Sequence, residues 1–148
     1  MCINIISEPI YECYQLLIDF AFKKSKRFLF HIPYRLRADD SVFSLFDEMK
    51  KHLIEIIPSN SFSHTEYTIG EVYVFECNDE TNLIIRNRVT SLFDWRLPKL
   101  PEDLSFINEN DDVWFGTISH EKMGWITECN NTEKEYLKSI IDIDFKIR

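Results

Sequence analysis

Apolar residues recur at three- and four-residue intervals early in the chain, at Ile10, Cys13, Tyr14, Leu17, Ile18 and Ala21. That spacing is one face of a helix and predicts it over residues 7–24. Ser7 offers a cap, and Glu8-Pro9 suits a first turn whose N–H groups have no helical partner. A short apolar run at 28–32 predicts a strand stopped by Pro33. Asp39, Asp40 and Ser41 offer caps for a second helix. Its stripe is Phe43, Phe46, Met49, Leu53 and Ile57, and Pro58 ends it.

Strand-like patterns follow. Residues 62–69 mix polar and apolar positions and read as an edge strand. Residues 71–77 carry Val72, Tyr73, Val74 and Phe75, strong strand material. Gly70 between them reads as a turn or bulge. Asn78-Asp79 opens a third helix to about Thr90, with Leu83, Ile84 and Asn87 as its stripe. Two prolines make 97–101 an extended connection. Residues 103–107 lead into a turn at 108–112 that is rich in turn formers. A strand at 113–119 and a hairpin partner at 123–127 come next. Thr132 and Glu135 read as a capping box for a last helix. Strict alternation from Ile141 to the end predicts a final half-buried strand. The resulting order, α-β-α-β-β-α-β-β-β-α-β, predicts an α+β fold: a largely antiparallel sheet packed by about four helices. With 148 residues and no repeat or linker, the expectation is a single domain over 1–148.

Composition narrows the chemistry. Phe contributes 12 residues and aromatics 14%, which argues for a well-filled core. Only 3 glycines are present, so a glycine-rich phosphate loop is not expected. Lys and Arg total 17 against 25 Asp and Glu, a formal charge of −8. A chain this acidic is repelled by phosphate backbones, so no nucleic-acid partner is expected. The basic cluster Lys23, Lys24, Lys26, Arg27, Arg35 and Arg37 reads as a solvated helix end. No segment approaches the ~20 apolar residues of a membrane span, and the N-terminus lacks the basic region of a signal peptide. Cys2, Cys13, Cys77 and Cys129 are far apart and read as reduced thiols. The expected setting is cytoplasmic, with no membrane partner.

Candidate chemistry centres on Ser119-His120-Glu121, in the connection between two predicted strands. If the chain is an enzyme, His120 serves as acid or base with Glu121 or Ser119 beside it. Adjacent residues seldom converge on one atom, and no metal-ligand spacing is present. No metal or cofactor is expected. His31 falls in an apolar strand and reads as a packed core residue. The aromatic and proline-rich connection from Phe93 to Leu104 either packs on the sheet or presents Trp95 for recognition, and packing is the simpler reading.

Trp95, the run Leu100-Pro101-Glu102-Asp103-Leu104-x-Phe106, Trp114-Phe115 and Ser119-His120-Glu121 form an ordered series. This pattern resembles a group of small uncharacterised proteins from Bacillus and related Firmicutes, some of which carry a label as a sporulation protein. The resemblance covers about residues 72–125 and implies a bacterial cytosolic setting. It marks Trp95, Glu102, Asp103, Trp114, His120 and Glu121 as a shared surface.

Two functions follow. The first is a non-catalytic, acidic protein-binding module that masks a basic protein partner, with the physical character of immunity proteins and other small inhibitors. Its contact surface would use Glu102, Asp103, Glu109, Asp111 and Asp112, with Trp95 or Trp114 as anchor. The alternative is a small enzyme built on His120. A homodimer paired through an edge strand, 62–69 or 141–147, is compatible with either.

Overall fold

A computed structural model describes residues 2–59 and 69–146. It has four α-helices and an antiparallel sheet of eight strands, an α+β fold. In chain order the elements are β1 (Cys2–Ile5), α1 (Tyr11–Lys24), β2 (Arg27–Pro33), α2 (Asp40–Glu48), β3 (Leu53–Pro58), β4 (Gly70–Glu76), α3 (Asp79–Arg88), β5 (Glu102–Ile107), β6 (Val113–Ile118), β7 (Met123–Ile126), α4 (Asn131–Ile140) and β8 (Ile143–Lys146). The sheet runs β3-β4-β2-β5-β6-β7-β1-β8. The C-terminal strand thus pairs with the N-terminal one, Ile3 opposite Phe145, and β8 forms that edge of the sheet.

Alternation along the strands sorts side chains into two clusters. Phe28, Phe30, Phe75, Leu104 and Phe106 join Tyr14, Leu17 and Ile18 of α1, Leu45 and Phe46 of α2, Ile85 of α3 and Leu137 of α4 in one large core. Leu29, Val72, Val74 and Ile107 form a smaller cluster among the intervening residues. Much of the larger core is ring against ring: Phe28 stacks on Phe75 at 5.5 Å, and Phe30 meets Trp95 at 5.0 Å. One step on β5, Phe106 to Ile107, spans two on β6, Phe115 to Val113. Trp114 is the extra residue of that bulge, which lets Trp114 and Phe115 both join the large core.

Several predicted elements needed correction. The second helix ends at Glu48 rather than Ile57, and a 3-10 turn, Lys50–His52, leads into β3. The Leu53-Ile54-Glu55-Ile56-Ile57 run is largely β-branched and is captured by the free edge of β4, with Ile56 opposite Tyr73. Helix α1 starts four residues later than expected. Ser7 does not cap it, because Pro9 and Ile10 are engaged with the 91–92 segment: Leu92 N donates to Pro9 O, and Ile10 bridges Ser91. Strand β1 had no counterpart in the predicted order. In α3 the buried positions are Thr81 and Ile85, and Leu83 is exposed. The box that opens α4 is Asn130 with Glu133, not Thr132 with Glu135. The proposed strand at 62–69 lies outside the described residues except for Ile69. No helix among the described residues is long and apolar enough to cross a membrane.

Candidate functional site

The 3-10 turn Ser119–Glu121 connects β6 to β7 and carries His120 at the sheet's end. Lys122 closes it in a left-handed conformation, φ 53°. Across the sheet end, β5 begins with Glu102, whose side chain is fully buried. His120 Nε2 lies 2.9 Å from Glu102 Oε1. The same oxygen accepts the backbone N–H of Leu97 at 2.5 Å. A buried carboxylate without such partners would be costly, so these bonds are what make its position tenable.

A local irregularity aims Glu102. On β2, Leu29 to His31 is a two-residue step; on β5 the matching step, Ser105 to Glu102, is three. Asp103 sits inside that step with φ 56°, the left-handed region that few residues other than glycine enter readily. The extra residue flips the side-chain alternation, so Glu102 rather than Asp103 stands opposite His31. His31 itself is buried, as expected of a core histidine. Asp103 is held by three bonds: its N–H donates to Trp95 O at 3.2 Å, its Oδ1 accepts Ser119 N–H at 2.8 Å, and its carbonyl accepts Ser105 Oγ–H at 3.1 Å. Asp103 thereby fastens the turn that carries His120 to the strand that carries Glu102.

The structure therefore re-pairs the predicted residues. The carboxylate that meets His120 is Glu102, eighteen positions away in sequence, and not the adjacent Glu121, which is exposed on the turn. Ser119 is fully buried, and its Oγ has no hydrogen-bond partner among the described residues, so no serine–histidine bond forms. The spacing of Glu102 and His120 carried no signal, because strand pairing and a bulge bring them together.

The predicted contact surface divides. Trp95 and Trp114 are 0% and 1% exposed, so neither anchors a surface. Burying an indole removes on the order of 200 Å² from water, worth a few kcal/mol. Each indole also has an internal acceptor: Trp95 Nε1 donates to Tyr14 OH at 3.0 Å and Trp114 Nε1 to Ser25 Oγ at 2.5 Å. Glu102 and Asp103 are buried and used internally. Glu109, Asp111 and Asp112 do lie exposed on the β5–β6 hairpin. Two of them meet cations of the predicted basic cluster: Lys26 with Glu109 at 3.5 Å and Arg27 with Asp111 at 2.5 Å.

Beside the His120 turn is a cleft of about 660 Å³ lined mostly by residues 88–100, together with Glu8 and Lys122. Leu97, whose N–H binds Glu102, is part of its wall. Among the described residues no group of three or more His, Cys, Asp or Glu side chains is placed to hold a metal ion. Cys13, Cys77 and Cys129 are free thiols, and burial, with a smaller push from Glu76, drives the Cys77 thiol well above its ordinary range. Comparison of the chain with protein-family models, curated proteins and solved structures gives no match.

Proposed function

We propose that the chain binds a small molecule beside His120 and uses that imidazole, held by Glu102, to accept or donate a proton on it. The observation that carries this reading is the 2.9 Å pairing of a part-exposed imidazole with a carboxylate that has no access to water. With Nε2–H donating to Glu102, Nδ1 of the neutral ring is the acceptor left for exchange. Anchoring one nitrogen by a carboxylate fixes both tautomer and ring orientation, which a general base requires. A cleft of small-molecule size adjoins the turn.

The test is a protein-observed NMR screen of small metabolites, with the His120 ring signals assigned by comparison of wild type and His120→Ala, followed by turnover assays on every ligand found. The reading expects at least one ligand to shift the His120 ring signals and to be turned over roughly 10²-fold or more faster by wild type. Equal turnover by both proteins, or a screen in which nothing perturbs His120, would overturn it.

A second reading, a module that masks a basic protein partner, is favoured by the charge of −8 and by the exposed Glu109, Asp111 and Asp112. It expects a cationic protein to be retained from lysate at low salt and released as salt rises. Substituting all three residues by Lys would slow that association; an unchanged rate would remove the hairpin from the surface.

A further inference from the structure

We propose that the cleft beside His120 is a binding site for a small multivalent oxyanion, a phosphate ester or a polycarboxylate. The inference names the ligand class for the proton-transfer reading above and rests on that reading for function, but the binding itself is measured independently.

The first argument is charge. The chain carries −8 overall, yet this cleft is lined by Arg88, Arg96, Lys99 and Lys122 against only Glu8 and Asp94. Glu8 is engaged by the hydroxyl of Ser91. Arg88 is held by Glu48, with 2.7 Å to both carboxylate oxygens. Arg96, Lys99 and Lys122 have no ion-pair partner among the described residues. Elsewhere the chain's cations are commonly matched, as Lys24 is by Glu133 and Lys51 by Glu80. With Arg88 matched, Arg96, Lys99 and Lys122 face Glu8 and Asp94, and this small excess of positive charge in a concave place attracts an anion.

The second argument is preorganisation. The segment bearing Arg96 and Lys99 is pinned along its length. Arg96 N donates to Asp94 O at 2.8 Å, Leu97 N to Glu102 Oε1 at 2.5 Å, and Leu100 N to Arg96 O at 3.2 Å. From α2, Ser41 Oγ donates to Lys99 O at 2.6 Å, and just before it Asp39 N donates to Pro98 O at 2.8 Å. A loop fixed at this many points has little backbone ordering left to lose when a ligand arrives, so the remaining cost is that of the exposed Arg96 and Lys99 side chains. Guanidinium groups suit the planar, two-oxygen edge of carboxylate or phosphate. The size of the cleft, about 660 Å³, fits a small molecule rather than a folded partner. Lys122, which closes the turn two positions after His120, is the lining residue that joins the cleft to that turn.

The experiment is calorimetric titration of the full chain with inorganic pyrophosphate and with citrate at constant ionic strength. The proteins are wild type, Arg96→Gln/Lys99→Gln/Lys122→Gln, a control Lys50→Gln/Lys51→Gln, and His120→Ala. The expected result is saturable binding of at least one anion at one site. The cleft variant should weaken it about tenfold or more, the loss that follows removal of charge-assisted hydrogen bonds, while the control retains it. Absence of saturable binding to both anions, or equal weakening by the control, overturns the inference. Retained binding in His120→Ala supports the site even where turnover is absent, so failure of the proton-transfer reading is distinguished from failure of this one. Thermal midpoints of the variants establish that each is folded.

Discussion

The indole of Trp95 donates its N–H to the hydroxyl of Tyr14 at 3.0 Å, and that hydroxyl donates in turn to the Ile85 carbonyl at 2.6 Å. The chain links the connection before β5, helix α1 and helix α3 through one buried oxygen. Burial first, eased by the Trp95 bond, pushes the Tyr14 hydroxyl well above its ordinary range, so it stays a donor at all working pH. Tyr14→Phe leaves the Trp95 N–H and the Ile85 carbonyl without this partner. The expected cost is about 1–3 kcal/mol, read by chemical denaturation, with the slope unchanged. A loss under a few tenths would mean that the two groups re-pair.

Gly116 on β6 lies opposite Trp125 on β7, whose ring covers it. A Cβ there would sit 2.4 Å from Trp125 Cζ2, closer than real atoms approach. Gly116→Ala must displace the indole and is expected to destabilise by about 1–3 kcal/mol. The same change in a Trp125→Ala background should cost much less, and a double-mutant cycle measures the difference. Equal costs in both backgrounds would place the strain elsewhere.

Glu133 sits in the capping box of α4 and accepts Lys24 Nζ at 3.0 Å and Asn130 N–H at 2.9 Å. Burial alone would raise its pKa, but the Asn130 and Lys24 interactions overcome that and lower it from the ordinary 4.5. A carboxyl with a depressed folded pKa contributes stability that is present above the unfolded value and lost as pH falls through the folded one. Glu133→Gln should therefore be less stable than wild type at neutral pH, by about 1 kcal/mol or less. The gap should narrow as pH falls below 4.5 and through the lowered folded value. A gap independent of pH would assign the effect to the cap alone.

The α+β class, the presence of α1, α3 and α4, and the strands β2, β4, β6 and β7 were legible because each is specified locally, by a three-to-four or two-residue period, a cap or a turn, whereas β1, β3 and the order of the strands were not. Where the pattern misled, distant partners decided. Residues 53–57 satisfy a helical stripe and a strand equally, and only the open edge of β4 selects the strand. Packing was the simpler reading of Trp95 and holds, but the anchor role offered for Trp95 or Trp114 could not be set aside from the sequence, because nothing in their neighbourhood announces Tyr14 or Ser25 as acceptors. His120 was visible as candidate chemistry from its place in a turn. Its partner was not, since Glu102 reaches it through strand pairing and the left-handed Asp103, neither of which has a sequence period. The cationic cleft was hidden for the same reason: the acidity of the whole chain masks a local excess assembled from three separate segments.

The proton-transfer reading depends on His120 being tied to Glu102. The direct measurement is NMR detection of the His120 imidazole N–H in wild type and in Glu102→Leu, at neutral pH and low temperature. A ring N–H bonded to a buried carboxylate is shielded from exchange, so wild type should give a protected signal assigned to Nε2. In Glu102→Leu, shown to be folded by its amide spectrum, that signal should disappear. A wild-type His120 with no protected Nε2–H, or one whose signal persists without Glu102, would contradict the account.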